Sequence, residues 1–137
     1  MIIPAAVRAL IEEGRLAHLV TIEPDGSPQV TGIWVGLEDN EIVSGHLRET
    51  QRKLANIRRD PRVALSIATG HPGPHGMEPS VVIPGRARVT AGGGADLLRQ
   101  LAQVYLGPDV DFVPANAPDG FVTRIGAERI GGNGNWN

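Results

Sequence analysis

Gly45-His46-Leu47-Arg48-Glu49-Thr50-Gln51-Arg52-Lys53-Leu54-Ala55-Asn56-Ile57-Arg58-Arg59-Asp60-Pro61-Arg62-Val63 is the stretch on which the fold turns. The hydrophobic period changes inside it. Gln51–Arg59 reads as a short helix with Leu54 and Ile57 turned inward, and Asp60-Pro61 stops it, because the residue before proline avoids the helical region. Arg62–Ala68 then alternates Val63, Leu65 and Ile67 against Ala64, Ser66 and Ala68, the period of a strand. Thr50 is expected to cap the helix, leaving first-turn N–H groups free to meet an anion. Arg52 and Lys53 place two cations in that same turn, where they oppose the helix dipole. A phosphate resolves the conflict, so Thr50–Lys53 reads as a phosphate site. The competing explanation is a solvated basic helix face, and Arg58, Arg59 and Arg62 are read that way.

Upstream, Pro4–Glu13 patterns as a helix with Val7, Leu10 and Ile11 on one stripe. Leu16–Ile22, Gln29–Leu37 and Glu41–Ser44 pattern as three strands, joined by turns at Pro24-Asp25-Gly26 and Glu38-Asp39-Asn40. Downstream, Thr69–Pro79 is a Gly, Pro and His-rich loop. Ser80–Thr90 is a strand in which Pro84-Gly85 suggests a bulge or an edge. A helix is expected over Ala95–Leu106, a loop over Gly107–Gly120, a strand over Phe121–Ile130 and a glycine-rich tail from Gly131. Short strands joined by tight turns indicate a mainly β barrel with short helices, one domain spanning residues 1–137. The first strands are apolar on both faces: Leu16, Val20 and Ile22 stand opposite Ala17 and Leu19. A small barrel has one interior, so the second face calls for a twin subunit, and a homodimer is expected.

Composition removes several classes. The formal net charge is −2, which argues against general nucleic-acid binding. There is no cysteine, hence no disulfide and no thiolate metal site. No apolar run reaches the roughly 18 residues of a membrane span, and Met1–Arg8 shows no signal-peptide pattern, so a cytoplasmic protein is expected. Lys53 is the one lysine among 13 basic residues.

Leu19-Val20-Thr21-Ile22, then Asp25-Gly26-Ser27-Pro28-Gln29-Val30-Thr31-Gly32-Ile33-Trp34, and then Gln51–Val63 together resemble the flavin-binding split β-barrels related to pyridoxamine 5′-phosphate oxidase. Within them, the chain looks most like the short branch that uses the deazaflavin coenzyme F420. The resemblance spans nearly the whole chain and implies a split-barrel homodimer and a hydride-transferring oxidoreductase acting on a small conjugated acceptor. F420 is the expected cofactor and FMN the alternative; a non-catalytic flavin or F420 carrier or sensor is the rival from another class. By position, Arg52 and Lys53 would bind the cofactor phosphate with Thr50 and Gln51 nearby. Thr31, Gly32, Ile33 and Trp34 would lie along the ring system, and His46 near the phosphate arm. Gly32 would admit a ring closely, or else mark a plain bulge. True pyridoxamine phosphate oxidases grip substrate with a C-terminal Arg-x-His, which is missing here, and this argues against vitamin B6 oxidation. Phe121, Arg124 and Trp136 occupy that region, and Trp136 would close over the cofactor or else belong to a frayed tail. No catalytic residue is assigned, since the chemistry belongs to the cofactor.

Other features weigh less. His71, His75 and Glu78 match no metal-ligand spacing, and no metal is expected. Gly92–Gly94 lacks the Lys-Ser/Thr of a nucleotide loop. Arg86 and Arg88 share one strand face and are read as surface.

Overall fold

The computed structural model describes residues 1–137. Its elements are α1 (Ala5–Glu12), β1 (Ala17–Ile22), β2 (Pro28–Ile33), β3 (Gly36–Glu38), β4 (Glu41–His46), α2 (Arg52–Arg59), β5 (Arg62–Ala68), β6 (Ser80–Ala91), α3 (Gly94–Tyr105), β7 (Phe121–Ala127) and β8 (Gly131–Asn133). Every strand pairing is antiparallel, in the order β2-β1-β5-β6-β7-β4-β3, with β8 added on β6. The end strands β2 and β3 are not hydrogen-bonded to each other, so the sheet curls into a split barrel. One core fills it, built on Leu19, Ile42, Leu65, Ile67, Ile83 and Ile125, with the α1 stripe Val7, Leu10 and Ile11 packed in.

The structure departs from the sequence expectation in several places. The segment expected as one strand, Gln29–Leu37, is two. Ser44 Oγ donates to the Trp34 carbonyl at 2.7 Å, and the Val35 N–H donates to the Tyr105 hydroxyl at 3.0 Å. Side chains thus satisfy the backbone at 34–35, and the chain crosses from the β1 side of the sheet to the β4 side. Gly32 is no bulge: it pairs in regular register with His18. The tail is not frayed throughout, because Gly131–Asn133 pairs with Ser80–Val82.

Pro84-Gly85 lies in a central strand without a bulge. β7 ends opposite Gly85, at Ala127, so the missing proline N–H falls at the last rung, where the Pro84 carbonyl still accepts from the Glu128 N–H at 2.9 Å. A Cβ at Gly85 would stand 2.3 Å from the Gly126 carbonyl oxygen, so only glycine lets the strands approach there.

A row without charge crosses the outer face of β2-β1-β5-β6, whose charge gathers at one end in Arg62, Arg86 and Arg88. Val30, Val20, Ala64 and Pro84 are successive cross-strand neighbours on it. Leu16, Val30 and Val82 are all exposed.

Candidate functional site

A cavity of about 410 Å³ opens at the split of the barrel, within the roughly 300–1,000 Å³ of small-molecule sites. Gly32, Ile33 and Trp34 form one wall and Ser44, Gly45 and His46 of β4 another; Leu47, Arg48, Gln51 and Lys53 follow from the loop and α2. Leu98 of α3, Phe112 and Leu16 complete it. Close approach of α3 to β4 depends on Gly45, where a Cβ would lie 2.7 Å from the Gly94 carbonyl oxygen and 3.0 Å from Leu98 Cγ.

Six of the expected residues converge on this cavity: Gly32, Ile33, Trp34, His46, Gln51 and Lys53. Four do not line it. Thr31 sits beside it on β2, with Oγ1 enclosed and without a hydrogen-bond partner. Thr50 is exposed and is not the cap: Gln51 holds the N-cap position, and no side chain caps the helix. The Glu49–Thr50 turn delivers the chain to the helix one residue later than the capping pattern suggests. Arg52 is largely exposed, and its guanidinium lies 3.6 Å from Glu23. Trp136 lines a second cavity with Thr69, His71 and His75, and its indole N–H points at the Ser80 and Asn133 carbonyls.

The other candidates are also placed. Arg88 pairs with Glu41, Arg86 with Glu128 at 3.5 Å, and Arg124 with Glu38 at 2.9 Å, all away from the cavity. Arg58 pairs with Glu49 and Arg62 with Asp60, while Arg59 donates to Asn56 Oδ1.

Lys53 is half-buried on the cavity wall and is joined to no carboxylate. Burial pushes its ammonium below the usual lysine range, as expected for a cation held without a counterion. Next to it the Gln51 Oε1 is enclosed and lacks a partner of normal geometry. The α2 N-terminus is uncapped and carries no acidic residue in its first turn. His46 is buried and lowered to about 4, first by burial, then by the Lys53 charge, with Gln51 opposing in part. A neutral imidazole, a free cation and an uncapped helix end form a natural seat for a phosphate monoester. The remaining wall, Leu16, Ile33, Trp34, Leu98 and Phe112, suits a flat apolar ring. A flavin-type ribityl phosphate fits this donor set.

Sequence reasoning missed Leu16, Ser44, Gly45, Leu47, Leu98 and Phe112 as wall residues. Phe112 carried the one available signal, as a rare aromatic inside a loop.

A curled antiparallel sheet of this strand order, with a small-molecule cavity where it fails to close, defines the split β-barrel class. The chain belongs to the pyridoxamine 5′-phosphate oxidase family, whose model matches residues 3–132. Among solved structures, a protein named F420 reductase superposes with a TM-score of 0.74 at 23% identity, covering 90% of this chain and 94% of that one. A conserved hypothetical protein from Mycobacterium tuberculosis gives 0.73 at 26%, covering 92% and 81%. A putative pyridoxamine 5′-phosphate oxidase from Listeria innocua gives 0.69 at 17%, covering 93% and 94%. No curated protein sequence matches the chain significantly.

Proposed function

We propose that the protein is a cytoplasmic, homodimeric oxidoreductase that binds coenzyme F420 in the Lys53 cavity, with FMN as the alternative cofactor, and serves hydride transfer to a small conjugated acceptor. One observation carries the proposal: Lys53 is a half-buried cation without a carboxylate partner, at the phosphate end of a cavity whose other walls are apolar. When bound, the cofactor supplies the hydride. The chain's own residues bind and orient: Lys53, Gln51 and the α2 amides hold the phosphate, while Gly32, Ile33 and Trp34 support the ring. The cavity wall has no Asp, Glu, Cys or Tyr, and His46 is held neutral, so protons come from solvent. No second C-terminal anion grip lines the cavity, which speaks against pyridoxamine phosphate as substrate.

F420 is preferred because Arg48 adds a further cation at the rim without an ion pair of its own, suited to the carboxylates of the F420 tail. A relative of the same fold bears the name F420 reductase. The second subunit would cover the apolar outer face around Val30, Val20 and Val82. Only in such a dimer does Trp136 remain a candidate cofactor residue, reaching the partner's cavity.

The test is the absorption spectrum and cofactor mass of protein purified from a host that makes both cofactors. Bound F420 supports the assignment. Bound FMN moves it to the alternative, and a protein that stays colourless after incubation with either one refutes both. Turnover with a range of conjugated acceptors separates an enzyme from a carrier.

A further inference from the structure

Five residues of the chain are aromatic, and three of them cluster at the cavity, which Trp34 and Phe112 line while Tyr105 stands behind Trp34. Trp34 stacks on Tyr105, with ring centroids 5.3 Å apart and planes at 17°. Phe112 lies on Trp34 at 4.8 Å, tilted by 51°.

The two partners of Trp34 are held very differently. The Tyr105 hydroxyl accepts from the Val35 N–H at 3.0 Å and donates to the Arg15 carbonyl at 2.9 Å. Tyr105 therefore backs Trp34 with a fixed ring. Phe112 is 51% exposed, an unfavourable state for a phenyl ring unless something else is to cover it. Its segment begins at Gly107, with φ +118°, and ends at the buried Val113. No hydrogen bond ties residues 107–113 to the rest of the protein; the next attachments are at Pro114, whose carbonyl accepts from Arg99 at 2.8 Å and from the Ala117 N–H. Low local connectivity of this kind marks segments that open at little cost.

We infer that Phe112 is a movable aromatic clamp that closes a flat ring against the Tyr105-backed Trp34, so that the cavity selects planar conjugated ligands over other phosphate esters. The identity of the ring rests on the cofactor reading above; the clamp itself does not. A tilted contact between Phe112 and Trp34 is replaced, in the bound state, by two ring–ring contacts on one ligand. Each such pair is worth about threefold to tenfold in affinity. Phe112 is thereby a specificity-determining residue, and Lys53 remains the phosphate anchor.

The experiment compares wild-type protein with Phe112→Ala and Phe112→Tyr, using FMN, F420, the planar aromatic anion anilinonaphthalene sulfonate and, as a probe without a ring, ribitol 5-phosphate. Phe112→Ala should release the flat probes about threefold to tenfold faster, leave ribitol phosphate affinity and the melting temperature unchanged, and be rescued by Phe112→Tyr. An unchanged release rate, or equal losses for FMN and ribitol phosphate, overturns the clamp. If wild-type protein binds the naphthalene sulfonate with Phe112-dependent release but takes up neither cofactor, the cofactor reading fails and the clamp stands. If it binds no flat probe, both fail.

Discussion

His46 Nε2 lies 2.8 Å from Thr123 Oγ1, across the β4–β7 pairing, with both residues sealed from solvent. Burial first, and the nearby Lys53 charge second, keep the imidazole neutral, with its pKa lowered from 6.5 to about 4 while the Gln51 side chain opposes in part.

Folding stability should therefore depend on pH through His46. The unfolded chain takes up the proton near pH 6.5 and the folded one only near 4, so the unfolded state binds more protons between those values. Stability is fully present above about pH 6.5 and falls as pH drops through the window, by up to about 3 kcal/mol. Urea unfolding of wild type and His46→Gln at pH 7 and 4.5 isolates the effect from the carboxylates. The variant should lose less stability on acidification; an equal loss contradicts the assignment.

How much of this could be read from residues alone depended on distance along the chain. α2, β5 and the stop at Asp60-Pro61 are local patterns, and they stand as read within a residue. The break at Trp34–Val35 was not legible, since it is made by the Tyr105 and Ser44 hydroxyls from other elements. The cavity residues on β2, His46, Gln51 and Lys53 followed from the motif and its resemblance. Phe112 and Leu98 could not, because only the folded approach of α3 at Gly45 brings that part of the chain to the site. Arg52 looked equivalent to Lys53 in sequence, but it stands exposed off the cavity wall, 3.6 Å from Glu23 on the neighbouring strand end, a placement that depends on the fold.

Arg48 should distinguish the two cofactors. It lines the cavity, whereas Arg58, Arg59 and Arg62 are engaged elsewhere. F420 affinity should fall more steeply with added salt than FMN affinity, because its tail carboxylates engage an exposed cation that salt screens. Arg48→Ala should bring the two slopes together. Parallel salt titrations check this, and a slope difference that survives the substitution removes Arg48 from the tail site.

The apolar outer face should join two copies. Light scattering at micromolar concentration should give a mass of about 29 kDa, twice the 14.5 kDa of one chain. Val30→Glu together with Val82→Glu should yield a folded monomer, since both side chains are exposed in the single chain. A wild-type monomer contradicts the dimer, and a double variant that stays dimeric contradicts the choice of face.

The most direct test of the cofactor assignment is the affinity of Lys53→Ala for F420 and FMN beside its melting temperature. Holding this cation half-buried without a counterion costs the ligand-free protein stability, so removing it should leave the melting temperature equal or higher. The lost charge-assisted hydrogen bond, about 1.5–3 kcal/mol, should weaken both cofactors by about tenfold or more. Unchanged affinity for both cofactors in a folded Lys53→Ala protein contradicts the phosphate site.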